Sequence, residues 1–259
     1  MSHSFRSDGV DFQWPTDRAS LDKLIGPVLC VAPFVKTAQS MLSAGADPLH
    51  VLIESCLERA DAVVAFLLQM PEVRARVNDP KRSESQYTAL MAASEDGNLA
   101  TVQLLLAAGA DPNTRHVDNG MCAAWVASDH GRLEILRCLL KAGADAECPK
   151  IKPSGFRPTM VAAQNGHNQC LLALFAAGAN PNGENVCRQV PLCSAYLCGH
   201  LSTLALLVKH GAVAKEEMWY TDKYFEGLTK FNPCFASLSA EVKAARRSLL
   251  HRAKLAVPP

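Results

Sequence analysis

Apolar residues come in short blocks that return along the chain, and glycines punctuate the blocks in pairs. Gly97 and Gly109, Gly131 and Gly143, Gly166 and Gly178, and Gly199 and Gly211 are each 12 residues apart, and successive pairs lie 34, 35 and 33 residues apart. Small-residue runs such as Ala92-Ala93, Ala123-Ala124 and Ala162-Ala163 stand ahead of the pairs, and Leu-rich runs of helical spacing, such as Leu104, Leu105 and Leu106, stand inside them. The pattern predicts two antiparallel helices per period. Small residues let the first helix sit close to its neighbours, and the leucines of the second fill the core between units. The first glycine of each pair turns the chain between the helices, and the second lies just past the second helix, where a left-handed residue costs glycine nothing. A period of this length means stacked supersecondary units that share one continuous core, and points to a protein that works through a surface rather than a pocket.

Each block then carries the same succession of residues. The first runs Thr88-Ala89-Leu90-Met91, Gly97, Leu104-Leu105-Leu106 and Gly109-Ala110-Asp111-Pro112-Asn113, and the second Cys122-Ala123-Ala124-Trp125, Gly131, Leu139-Leu140 and Gly143-Ala144-Asp145. The third has Arg157-Pro158-Thr159-Met160, Gly166-His167 and Gly178-Ala179-Asn180, and the fourth Val190-Pro191-Leu192-Cys193, Gly199-His200 and His210-Gly211-Ala212. These blocks resemble the ankyrin repeat, in which Thr-Pro-Leu-His opens a short Ala-rich helix, a glycine follows, and a Leu-rich helix ends in Gly-Ala-Asp. The family's His is Met91, Trp125, Met160 and Cys193 here, and only Thr88 keeps the Thr. Those two side chains tie neighbouring turns by hydrogen bonds in the family, so the resemblance implies that this polar link is missing and that Met and Trp packing replaces it.

Upstream the pattern loosens. Met41 to Asp47 has the ending of a unit, and an irregular repeat fits from Pro48-Leu49-His50 to Phe66-Leu67-Leu68, followed by a longer loop from Gln69 to Asn78. The expected organisation is an N-terminal arm and short capping helix over 1–27, repeats over 28–214 (irregular over 28–82, regular over 83–214), and a non-repeat C-terminal region over 215–259. The arm reads as mobile to Pro15, with Thr16 or Asp17 capping a helix through Ile25 whose apolar side is Leu21, Leu24 and Ile25. After Gly211, Trp219, Tyr220, Tyr224, Phe225, Phe231 and Phe235 cluster, and a helix with Lys243, Arg246, Arg247, Arg252 and Lys254 around an apolar side is predicted from Ser239 to Ala253.

Composition removes several alternatives. The 259 residues carry a formal net charge of +1 and a pI near 7.6, so the molecule has no overall field to draw in nucleic acid or anionic membrane. Ten cysteines are scattered through helix positions such as Cys122, Cys138 and Cys170, and read as buried thiols of a reducing compartment. No Asn-x-Ser/Thr sequon, membrane-length apolar run or signal-peptide start is present, so the expected location is the cytoplasm, with nucleus and cytoskeleton left open.

Chemical motifs are weak. Cys187, Cys193, Cys198 and His200 form no compact Cys-x-x-Cys pair, and two of them fall on ordinary repeat positions. His167, His200 and His210 lie at repeat turns, and no phosphate-binding loop or paired-carboxylate motif appears. The chain reads as a non-enzyme without cofactor or metal. The variable positions are more telling, because the family's finger tips and inner helix face usually form its concave binding surface. Tyr87, Met121, Phe156 and Gln189 share the position after the first turn, and Glu95 and Asp96, Asp129 and His130, Gln164 and Asn165, and Leu197 and Cys198 share the inner helix positions. Aromatic and Met anchors bordered by acids are what interface hot spots look like. The alternative for Tyr87 and Phe156 is that they only staple neighbouring turns.

The expectation is therefore an all-α ankyrin-repeat solenoid, a right-handed curved stack of about six helix pairs with a C-terminal helical cap. It acts as a monomeric protein-protein scaffold or adaptor, with no small-molecule substrate and no nucleic acid or membrane partner. For the C-terminal region two alternatives to a cap stay open. One is a docking helix for an acidic surface such as tubulin, RNA or membrane. The other is a degenerate SOCS-box-like adaptor helix at Ser237-Leu238, whose required Cys is Val242 here.

Overall fold

The computed structural model describes residues 4–7, 10–13, 15, 17–31, 35–80, 86–149 and 155–213. The aromatic cluster and the basic helix expected beyond residue 213, with the SOCS-box-like pair, lie outside the described residues. By their contacts, the described residues up to Asp118 with Lys141–Ala144 form one unit, and Asn119–Leu140 with the described residues from Asp145 form another.

In the first unit, strands β1 (Ser4–Ser7) and β2 (Val10–Gln13) pair antiparallel, Ser4 opposite Gln13 and Ser7 opposite Val10. Helices α1 (Arg18–Val31), α2 (Val35–Ser43), α3 (Pro48–Leu57), α4 (Asp61–Leu67), α5 (Pro71–Ala75), α6 (Ala89–Asp96) and α7 (Leu99–Ala107) follow. α1, α3 and α6 pack in sequence as one layer, and α2, α4 and α7 as the other. The second unit has α8 (Ala123–Asp129), α9 (Leu133–Lys141), α10 (Pro158–Gln164), α11 (Asn168–Ala176), α12 (Pro191–Cys198) and α13 (Leu201–Lys209), with α10 between α8 and α12 and with α11 against α13. The described residues thus hold six helix pairs, three in each unit, and the fold is an all-α array of helical repeats with one small hairpin at its start.

The two kinds of helix bury themselves differently, and the sequence explains why. The first helix of a regular pair disappears almost whole: Ala89 to Ser94, Ala123 to Ser128, Pro158 to Ala163 and Pro191 to Tyr196 are all buried. Small residues make this tolerable on both sides of the helix. The second helix buries a narrow stripe, namely Val102 and Leu105, Leu136 and Leu139, Leu171 and Leu174, Leu204 and Leu207. Leu104 is 38% exposed, so the leucine run that flagged this helix is only partly core.

Polar ties connect successive turns. Asn78 donates to the Gly109 carbonyl and accepts from the Asp111 amide, Asn113 donates to the Gly143 carbonyl, and Asn182 donates to the Gly211 carbonyl and accepts from the Val213 amide. Glu147 stands at the same point of its repeat and accepts from the Asn180 amide at 2.8 Å. Asp111, Asp145 and Asn180 each accept from the amide two residues on, which sets the turn that aims these side chains. At the other ends of the helices His rings do related work. His167 lies over Gly131 and His200 over Gly166, where a Cβ would come within 2.8 Å and 2.9 Å of the rings. Those glycines are needed for close approach as well as for their φ of 65° and 73°.

The N-terminal boundaries differ from expectation. Asp17 does cap α1, its carboxylate accepting from the Ser20 amide at 2.8 Å, which holds that carboxyl below its ordinary range. The helix, however, continues past Ile25 to Val31 with Pro27 inside it, and buries Leu21, Ile25 and Leu29. Apolar spacing carries it onward, and α1 is the first helix of a pair with α2. Residue 27 is therefore no boundary. The irregular repeat falls where it was read, as α3 and α4, but the loop after it contains α5, pinned by the buried Val73 and Val77. Arg76 forks onto Asp47, which also caps α3.

Candidate protein-binding surface

In the second unit Phe156 and the turn around it are held by several hydrogen bonds. Trp125, at the position of the family's His, donates through Nε1 to the Phe156 carbonyl at 3.0 Å. The expected loss of a polar tie is thus not complete: the indole supplies a donor where the imidazole is missing. Next to Phe156, the Arg157 guanidinium bonds the Glu147 carboxylate at 2.6 Å and the Glu184 carbonyl at 3.1 Å, joining two successive fingers. Gly183 makes room for the Arg157 side chain. Asn185 centres the second of these fingers, its side chain accepting from the Cys187 and Gln189 amides and donating to Gln189 Oε1. Phe156 and Gln189 are half-buried, while His130, Gln164 and Asn165 are exposed. Asn165 donates to the Asp129 carboxylate and carbonyl, and His167 Nε2 meets the same carbonyl at 3.1 Å. Asp129 is therefore a half-buried acceptor used within the fold.

In the first unit Tyr87 is half-buried and its ring meets His116 edge-on, centroids 5.8 Å apart. It does staple neighbouring fingers while keeping part of its surface outside. Glu95 and Asp96 are half-buried at the end of α6. The Asp96 carboxylate is engaged by Arg59 at 2.8 Å, and Arg59 Nη2 reaches the Asp96 carbonyl at 2.9 Å. Met121, read as an anchor between Tyr87 and Phe156, is only 5% exposed and belongs to the core. Its position has the right register, but its unbranched side chain follows the packing inward. Leu197 and Cys198 are half-buried.

Sequence reading missed Arg59, Arg157 and Glu147. Arg59 left a signal: it stands at the end of α3, where Gly97, Gly131, Gly166 and Gly199 end the corresponding helices, and its φ is 55°. Cys187 is exposed on a finger, Cys193 is buried in α12 and Cys198 ends that helix; among the described residues no three His, Cys, Asp or Glu side chains are placed to hold a metal. Burial pushes the Cys170 thiol up to about 11, and the Cys56 thiol higher still. Among the described residues no helix is long and apolar enough to cross a membrane.

Helix pairs of this size, short buried helix followed by Leu-striped helix and joined by Asx-type turns, define a helical-repeat protein. A family model of ankyrin repeats in three copies matches residues 30–116 and again 49–150, and the pairs at 158–176 and 191–209 repeat the same plan. Over residues 30–150 the chain carries ankyrin repeats. No curated protein matches it. Ankyrin repeats generally mediate protein-protein interaction, and the family is typically non-catalytic.

Proposed function

We propose that the protein is a monomeric, non-catalytic scaffold or adaptor of the cytoplasm that binds a protein partner through its finger tips and inner helix ends. The observation that carries this reading is the bracing around Phe156. Trp125, Arg157 and Glu147 fix the turn that presents a half-exposed aromatic ring, so little ordering cost remains to be met on binding. The same unit offers exposed His130 and Gln164 and half-buried Gln189, and in the first unit Tyr87 precedes α6 while Glu95 and Asp96 end it, where acidic groups suit a partner of positive charge.

The test is affinity capture coupled to mass spectrometry, comparing the wild type with Tyr87→Ala/Phe156→Ala. The partner set of the wild type should be lost, with helical circular dichroism unchanged. An identical partner set would remove both anchors. Met121 is left intact because its substitution would open the core.

A further inference from the structure

Arg59 is anomalous on two counts. It takes a left-handed φ of 55° where the corresponding helices of four other repeats end in glycine, and its side chain is 62% exposed although it makes two hydrogen bonds. A non-glycine residue in that conformation is strained, and strain of this kind persists where the side chain has work to do. The work is visible. Arg59 Nε donates to Asp96 Oδ2 and Nη2 to the Asp96 carbonyl, so a single guanidinium edge is held by two acceptors that face the same way. One is a carboxylate with a side chain 19% exposed; the other is among the last carbonyls of α6, which have no partner further along the helix and carry the negative end of its dipole. A carboxylate and a helix-terminal carbonyl at this spacing match the planar fork of an arginine better than the point charge of a lysine.

We infer that Asp96 and the C-terminal end of α6 form an arginine-binding site, which Arg59 fills in the free protein and an arginine of the partner protein fills in the complex. The inference rests on the reading that this surface binds a cationic protein. It adds the ligand group and an internal competitor. An ion pair this exposed is weak, so exchange of one guanidinium for another costs little. Arg59 then acts as a gate: a partner with a well-placed arginine displaces it, while a partner offering only diffuse positive charge does not.

The glycine found in the sister repeats supplies the test. Arg59→Gly removes the occupant and relaxes the backbone, so the chain retains its fold with the site open. Titration of full-length Arg59→Gly with methylguanidinium, against sodium chloride of equal ionic strength, should shift the amide resonances of Asp96 and Gly97 and raise the thermal midpoint by about 2 °C at about 50 mM. Wild type, in which Arg59 competes for the site, should respond less than Arg59→Gly, and Arg59→Gly/Asp96→Asn, with the carboxylate gone, should show neither effect. Equal responses in all three proteins, or none in Arg59→Gly, overturn the site. This readout needs no partner, so it stands or fails separately from the loss of partners in Tyr87→Ala/Phe156→Ala.

Discussion

Two buried threonines with opposite surroundings show how the same side chain contributes differently at different points of one fold. Thr203 Oγ1 donates to Asn168 Oδ1 at 2.7 Å, tying the start of α13 to the start of α11. Thr159 is fully buried in α10 and its hydroxyl has no hydrogen-bond partner. A buried hydroxyl without a partner keeps its desolvation cost, and an apolar group of the same shape removes it. Thr159→Val should therefore leave stability unchanged or raise it by about 1 kcal/mol, while Thr203→Val should lower it by about 1 kcal/mol. Urea unfolding of both variants measures the difference; a loss at Thr159 as large as at Thr203 would mean its hydroxyl is bonded after all. At this scale the sequence was only half legible. Trp125 was expected to replace the family's His by packing, and it also donates a hydrogen bond. Asp96 was legible as an acid on the binding face, but its engagement by Arg59, 37 residues earlier, depends on two helix ends meeting in space.

At the scale of elements Gly166, the first glycine of its pair, and Gly143, the second of its own, are not equivalent. Both have positive φ, yet a Cβ at Gly143 has nothing within 4 Å, whereas one at Gly166 meets His200 Nδ1 at 2.9 Å. Gly143→Ala should cost the left-handed backbone penalty alone, about 1–2 kcal/mol. Gly166→Ala adds overpacking of about 1–3 kcal/mol, and trimming His200 to Ala in that background should recover most of the excess. Thermal melts of the three variants decide it; equal midpoints for the two glycine substitutions would show that the ring moves aside freely. The spacing of the glycine pairs is plain in the sequence because it reports backbone geometry within one unit. The facing His is not, since its role is set by the next unit. α1 teaches the same lesson about boundaries: the helix read as ending at Ile25 continues to Val31, with Leu29 buried and α1 packed on α3. Tertiary packing outweighs local propensity.

For the whole molecule, neighbour-only stacking implies graded rather than all-or-none dependence on length. A chain ending at Ala179 loses α12 and α13 and uncovers the faces of α10 and α11 that pack against them. It should keep the helical signal of the remaining pairs and melt at lower temperature, as followed by circular dichroism; complete loss of helix would show that the pairs do not hold one another locally. What the sequence determined by itself is the repeat: its period, its two kinds of helix and its turns. These are local, because residues within about 34 positions of one another carry the small-residue runs, the leucine stripe, the glycines and the Asx turns. What only the tertiary structure decided is which side chains are spoken for. Met121 went inward, Asp96 and Asp129 were taken up as acceptors, and Phe156 was braced by Trp125 and its turn by Arg157. The physical reason is that the donors and acceptors that settle the polar outcomes lie in the adjoining repeat, and a single period of sequence holds only one side of each contact.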